Sequence, residues 1–167
     1  MEVKIRVAVA DDISAITEIY NQAVELRFAT ADITPVSIES RLLWMQEHPS
    51  DQYPIFVALN KSTIAGWCSL SPYRPGRMAL RHTGEISYYV HENFRGVGVG
   101  SGLIAHAINE CPRLGLKSIF AILLDINRGS TRILEKFGFE KWGHMPDVAD
   151  FDGQECGHLY YGRRVAP

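Results

Sequence analysis

The sequence has few cysteines, no long apolar run and no excess of either charge, and each shortage excludes a class of protein. Its three cysteines, Cys68, Cys111 and Cys156, are far apart and odd in number, which argues against a disulfide framework and favours a reducing compartment. No apolar run approaches the roughly 20 residues that cross a bilayer, and the first six residues do not resemble a signal peptide. A net charge of −2 gives no basic surface for nucleic acid. We therefore predict a cytoplasmic protein with no membrane and no nucleic-acid partner.

The composition is that of an ordinary folded protein. Of the 167 residues, 46% are hydrophobic and 22% are charged, which supports a buried core and argues against disorder. We find no internal repeat, low-complexity tract or charged linker. The sequence therefore predicts one domain that spans residues 1–167.

Apolar spacing predicts the element order β-α-α-β-β-β-α-β-α-β-β, an α+β class with a mixed sheet. The first helix has an apolar face from Ile13 to Val24, and Thr34-Pro35 predicts the start of a second helix that ends before Pro49. That second helix carries Leu42, Leu43 and Met45. The alternation of Val3, Ile5, Val7 and Val9 with Lys4 and Arg6 predicts a first strand. The remaining segments are predicted as strands at 55–59, 64–70, 85–90, 118–124, 139–145 and 158–165, and as helices at about 101–111 and 130–137, with a loop over 71–82.

A glycine-rich turn between a strand and a helix is the most informative motif. Arg95 is followed by glycines at positions 96, 98, 100 and 102, which let backbone amides point toward one anion and approach it closely. The free amides and dipole of the next helix add to the same site. The turn predicts a pyrophosphate cradle.

Two other phosphate motifs fit the turn poorly. A P-loop requires Gly-Lys-Ser/Thr after the glycines, which is absent. A dinucleotide fingerprint fails at its third glycine, and no second βαβ half follows. A simple tight turn without a ligand is the remaining alternative.

The segment Arg95 to Gly100, read as R-x-x-G-x-G, resembles the acetyl-CoA signature of the GNAT N-acetyltransferases. Asn127-x-x-Ser130, followed by Gly138-Phe139, resembles a second segment of that family. The stretches 73–90 and 19–21 are similar to its phosphinothricin and methionine sulfone acetyltransferase subgroup. The resemblance covers essentially the whole chain and implies a mixed sheet of about seven strands, splayed in the middle, with about four helices.

The resemblance also implies which residues bind acetyl-CoA as cosubstrate. Backbone groups of a splayed strand would hold its pantetheine, the glycine turn its pyrophosphate, and Asn127 its arm. Packing in the sheet is the alternative role for Tyr88 and Tyr89, since only one face of a strand can point at the cofactor. The implied cofactor residues are Tyr88, Tyr89, Val90, Arg95, Gly96, Val97, Gly98, Val99, Gly100, Ser101, Asn127 and Ser130; no metal is implied.

Glu85 aligns with the subgroup's proposed base. A partly buried carboxylate has a raised pKa, which suits removal of a proton from an ammonium group. A structural ion pair with an arginine of the preceding loop is the alternative role. Backbone amides near Tyr89 and Val90 would stabilise the oxyanion.

Leu134 occupies the position where the family has tyrosine and this subgroup often has histidine, so a side-chain general acid is in doubt. A thiolate is a good leaving group, which makes an acid helpful rather than obligatory. Tyr160 and Tyr161 are the alternatives for that role. For the acceptor, Arg74, Arg77 and Arg81, with Thr83, are predicted to bind the carboxylate of an amino acid, or else to form a solvated basic loop. Residues 28–32 are predicted to form the other wall of that pocket.

The expected function is direct acetyl transfer from acetyl-CoA to a small amine, such as an amino acid, phosphinothricin or methionine sulfoximine. Two alternatives remain: a protein N-terminal or polyamine acetyltransferase, and a non-catalytic acyl-CoA sensor. The resemblance further implies a homodimer.

Overall fold

A computed structural model describes residues 3–166 of the chain. Within this range it contains seven strands and four α-helices in the predicted order. The elements are β1 (Lys4–Val7), α1 (Ile13–Glu25), α2 (Ile38–Gln46), β2 (Ile55–Asn60), β3 (Thr63–Pro72), β4 (Thr83–Val90), α3 (Val99–Glu110), β5 (Ser118–Leu124), α4 (Arg128–Lys136), β6 (Glu140–Asp150) and β7 (Glu155–Arg164). The α+β class and the mixed sheet are confirmed.

The strands form one sheet in the order β1-β2-β3-β4-β5-β7-β6. All neighbours are antiparallel except β4 and β5, which are parallel. The turn between β2 and β3 is tight: Asn60 pairs with Thr63, and Lys61 adopts a φ of 56°.

The middle of the sheet is splayed. β4 pairs with β5 only from Thr83 to Glu85, whereas β3 pairs with β4 up to Val90 and β7 pairs with β5 over its whole length. Each central strand is therefore held by its outer neighbour. Beyond Glu85 the backbone edges of β4 and β5 face a gap.

The helices cover opposite faces of the sheet. On one face, α1 packs Ile16, Ile19 and Val24 against Trp67 and Val57. On the other face, α3 packs Leu103 and Ile104 against the sheet, and Leu134 of α4 joins the same core. Side chains of β4 alternate between these faces, so Ile86 and Tyr88 point toward α3 and α4, and Tyr89 packs on the α1 side.

Helix α2 differs from its sequence prediction. It begins at Ile38 rather than at Pro35, because the Ser37 hydroxyl caps it by accepting the Ser40 amide hydrogen. The apolar residues Leu42 and Leu43 are exposed, at 39% and 64%, while Arg41 is buried. The helix ends before Pro49 as predicted.

Asp12 ties the first strand to the first helix. Its carboxylate accepts two hydrogen bonds from the Arg6 guanidinium, at 2.6 and 2.8 Å, and a third from the Val9 amide at 2.8 Å. These contacts, Arg6 first, hold the pKa of the Asp12 carboxyl below its usual range.

We expect Asp12→Asn to lower the free energy of unfolding at pH 7 by about 1 to 3 kcal/mol, the scale of hydrogen bonds to charged groups. A lowered carboxyl pKa stabilises the fold above the unfolded pKa, and this contribution is lost as the pH falls through the folded pKa. The difference between wild type and variant, measured by urea unfolding, should stay constant from pH 8 to pH 5 and narrow below about pH 4. A constant difference down to pH 3 would refute this role for the charge.

Candidate active site

A cleft of about 490 Å³ runs between the end of β4, the start of α3 and the start of α4. It brings together eleven of the twelve residues that the sequence predicted for the cofactor; Val97 does not line it and is 53% exposed. The lining residues in this set are Tyr88, Tyr89, Val90, Arg95, Gly96, Gly98, Val99, Gly100, Ser101, Asn127 and Ser130.

The glycines of the turn have different roles. Gly96 and Gly98 adopt φ values of 75° and 97°, and a Cβ on either would meet no atom within 4 Å. Gly98 is the N-cap of α3, so the first amides of the helix have no intrahelical acceptor and open into the cleft. Gly100 is instead a packing position, because its Cβ would lie 3.3 Å from Cδ1 of Ile133.

Asn127 shapes the opposite wall of the cleft. Its side-chain oxygen caps α4 by accepting the Ser130 amide hydrogen at 3.1 Å, and the side chain is buried. The cap occupies Oδ1, which leaves the amide nitrogen as the group that can donate to a ligand.

The gap between β4 and β5 joins this cleft and has unpaired polar groups. The Thr83 carbonyl and the His91 amide both bond toward β3, so by alternation the backbone groups of Tyr88 and Val90 face the gap. The Tyr88 hydroxyl is also buried there, near Ser130 but without a hydrogen-bond partner in the described part of the chain. Burial raises the pKa of Tyr88 to about 12, so its hydroxyl stays protonated at neutral pH and can donate a hydrogen bond.

A second, smaller pocket of about 240 Å³ lies on the α1 and α2 side of the sheet. Ser87 and Tyr89 line both this pocket and the gap, so the two spaces flank the middle of β4. Its residues are Tyr20, Arg41, Trp44, Trp67, Ser69, Ser71, Glu85, Ser87 and Tyr89.

Glu85 is the carboxylate residue of this small pocket. It is the last residue of β4 that pairs with β5, and the alternation of β4 turns its side chain away from α3. Burial alone raises the pKa of the Glu85 carboxyl. No ion pair joins it to another residue between 3 and 166, so the alternative of a structural partner in the arginine-rich loop has no contact to support it.

Arg41 is the cationic residue of the same pocket. Its guanidinium carbon lies 3.8 Å from the ring centroid of Tyr20, 4.9 Å from that of Trp44 and 5.9 Å from that of Trp67. The side chain is nine-tenths buried, and its Nε has no hydrogen-bond partner among residues 3–166.

The segment after α1 closes the side of the site. The Asn21 side-chain amide accepts a hydrogen bond from the Val36 amide at 2.9 Å and donates one to the Val36 carbonyl at 3.0 Å. The Tyr20 hydroxyl donates to Asp32 at 2.5 Å. Phe28 and Ala29 line the large cleft. Ala29 also lines the gap, but none of the predicted wall residues 28–32 lines the small pocket; Asp32 reaches it only through its hydrogen bond from Tyr20.

Comparison with known proteins identifies the family. The acetyltransferase (GNAT) family model matches residues 15–139. The chain belongs to this family. It is 36% identical over 163 residues to YwnH of Bacillus subtilis, covering 97% of this chain and 99% of that protein. It is 33% identical over 144 residues to the L-methionine sulfoximine/L-methionine sulfone acetyltransferase of Salmonella typhimurium, covering 86% and 84% of the two chains.

A solved structure agrees with the GNAT assignment. The GNAT superfamily phosphinothricin acetyltransferase of Sinorhizobium meliloti, in complex with AcCoA, superposes with a TM-score of 0.93 at 29% identity, covering 99% of this chain and 90% of that one. The splayed sheet described above is therefore that of a GNAT protein. Among residues 3–166, no helix is long and apolar enough to cross a membrane.

The acceptor residues predicted from the GNAT resemblance are not brought to the pocket. Arg74, Arg77 and Arg81 are exposed and line neither space; Arg81 donates to the Met78 carbonyl instead. Thr83, two residues before Glu85, also lies outside the lining. Their role in substrate binding stays a prediction.

The position of the family's usual acid holds no proton donor. Leu134 is fully buried and lines the gap. Tyr161 donates to Glu135 and Tyr160 to the Met145 sulfur, and neither lines the described cavities. Tyr88, whose hydroxyl lacks a partner, is the donor that the gap contains.

Sequence reasoning missed Arg41. A cation at the third or fourth position of an amphipathic helix is typical of a solvent-facing residue.

Proposed function

We propose that this GNAT protein transfers the acetyl group of acetyl-CoA to the amino group of a small amino acid or amino acid analogue. Phosphinothricin, methionine sulfoximine and methionine sulfone are the candidates that the names of its relatives supply. The observation that carries the proposal is the partly buried, unpaired carboxylate of Glu85 at the point where β4 leaves β5.

The cleft fits the donor. The glycine turn and the amides of α3 provide a pyrophosphate site. The backbone of Tyr88 and Val90 faces the gap and matches the amide groups of a pantetheine chain, although the Val90 carbonyl already accepts a hydrogen bond from Arg95 Nε at 3.3 Å. The orphaned Tyr88 hydroxyl and the amide nitrogen of Asn127 supply further donors at the inner end. When bound, acetyl-CoA supplies an activated acetyl thioester.

The residues of β4 divide the chemistry between two faces. Glu85, on the acceptor side, receives the ammonium proton, directly or through a water molecule, and its raised pKa suits that task. The Val90 and Tyr88 amides, on the gap side, are donors for the developing oxyanion. The Tyr88 hydroxyl provides a hydrogen bond where Leu134 offers none.

Three finer points from the sequence belong to the proposal. The three cysteines are free, which supports a cytoplasmic location. The edge strand β6 exposes Trp142, Met145 and Val148, an apolar face that a second copy would cover in a homodimer. Sedimentation equilibrium tests the dimer, which a charge at Val148 should weaken. A polyamine or protein acceptor is less well accommodated, because the acceptor pocket is small and contains a cation.

We expect Gly98→Val to weaken acetyl-CoA binding by roughly tenfold or more. A branched side chain would fill the anion site, and valine is strained at the φ of 97° that the backbone adopts there. Gly153→Val is the matched control: its φ is 95° and its Cβ also meets open space, far along the chain between β6 and β7. Both variants should lose similar stability, but only Gly98→Val should lose affinity in calorimetry. Equal affinities for the two variants would refute the cradle.

We expect Glu85→Gln to reduce turnover by roughly 10²-fold or more at pH 7, the scale of general base catalysis. Acetyl-CoA affinity should stay near that of wild type, and the loss should shrink at high pH, where more of the amine is already deprotonated. Thiol release across pH 6 to 9 measures both.

The stability of Glu85→Gln separates catalysis from folding. A carboxyl whose folded pKa is raised destabilises the fold as the pH rises past its unfolded pKa, so this variant should melt at pH 7 no lower than wild type. Glu140→Gln, at an exposed position of β6, is the control. Near-normal turnover of Glu85→Gln at every pH would refute the role of Glu85 as the base. If the wild-type protein binds acetyl-CoA but releases no CoA with any amine, it is an acyl-CoA sensor rather than an enzyme.

A further inference from the structure

Arg41 is a buried cation without a counterion. No carboxylate of residues 3–166 forms an ion pair or hydrogen bond with its guanidinium, and its Nε is buried without an acceptor. Burying a charged group is costly unless it is paired. The stack on Tyr20 offsets part of this cost but gives the N–H donors of the guanidinium no hydrogen-bond acceptor.

The packing holds the guanidinium in one position at the pocket wall. Tyr20 and Trp44 lie within 5 Å of the guanidinium carbon. Tyr20 is in turn held by its hydrogen bond to Asp32, and Trp67 by an indole N–H donated to the Ile16 carbonyl at 3.1 Å. The cation is therefore preorganised in the wall of the small pocket.

Glu85 and Arg41 line that pocket together without touching each other. If their purpose were to neutralise one another, they would form a salt bridge. Two opposite charges held apart in one pocket of about 240 Å³ instead match a small molecule that carries both charges. An α-amino acid is such a molecule, with an ammonium group next to a carboxylate.

We propose that Arg41 binds the α-carboxylate of the acceptor amino acid and thereby turns its ammonium group toward Glu85. This inference rests on the proposed function for the identity of the site, and it makes Arg41 a specificity-determining residue. Planar guanidinium groups bind carboxylates through paired N–H donors. The exposed arginines of the 74–81 loop are not required for this contact.

The test compares each acid with its methyl ester, which keeps the amine and removes the negative charge. Methionine sulfone, phosphinothricin and leucine are each titrated into wild-type protein saturated with CoA, followed by the methyl ester of the α-carboxylate. We expect at least one acid to bind wild type roughly 30-fold or more tightly than its ester, and this preference to vanish in Arg41→Met. Arg41→Lys should restore part of it, because the charge remains and the planar donors do not.

Turnover provides the second readout. The ratio of wild-type to Arg41→Met kcat/KM should be large for the acid, mainly through KM, and near unity for the ester. Arg113→Met, which removes an exposed arginine paired with Glu110, is the matched control and should change neither ratio. Melting temperature and acetyl-CoA affinity report whether the aromatic cluster survives the loss of Arg41.

The outcomes separate this inference from the proposed function. An Arg41-dependent preference for the acid, without CoA release, would support the inference and refute the enzymatic function. Equal losses for acid and ester would show that Arg41 only supports the aromatic cluster. A wild type that prefers no acid over its ester, or a preference that survives in Arg41→Met, would also overturn the inference.

Discussion

The short pairing between β4 and β5 is the constraint on which the site depends. Three residue pairs hold the two strands together at one end, and each strand is then drawn away by full-length pairing with its outer neighbour. The gap leaves backbone donors and acceptors unpaired inside the molecule, which a folded protein rarely tolerates without a partner. It lies beside Ser87 and Tyr89, which also line the small pocket on the other side of β4.

The alternation of side chains along β4 assigns a task to each face. Tyr88 points into the gap beside Ser130 and Asn127, while Glu85 points into the small pocket beside Arg41. If β4 continued to pair with β5, the gap beside Tyr88 would close. Glu85 and Arg41 in the small pocket are not paired with each other. Burying them unpaired lowers stability, and a substrate that pairs with both charges would offset this cost.

Much of the fold was predictable from the sequence because its signals are local. The apolar face of α1, the boundaries of β5 and the glycine turn follow from short-range patterns, and all of them are confirmed. The cap at Asn127 is local as well, since an asparagine oxygen reaches the amide three residues later.

The acceptor pocket was not predictable in the same way. Arg41 is buried because Tyr20 and Trp67, distant in sequence, stack beneath it, and no pattern within α2 contains that information. The exposed loop arginines were predicted to bind the substrate carboxylate because a sequence shows which residues are charged but not which are buried. Strand β6 runs to Asp150, whereas the sequence predicts that it ends at 145. Its length depends on pairing with β7, which the local pattern does not contain.

A crystal structure of the protein with both CoA and methionine sulfone tests the central claim most directly. The account predicts that the pantetheine lies in the gap and bonds the backbone of Tyr88 and Val90, with the acceptor on the opposite face and its amino nitrogen on the Glu85 side. An acceptor that enters from the face of the CoA cleft, or a pantetheine that leaves the gap empty, would contradict it.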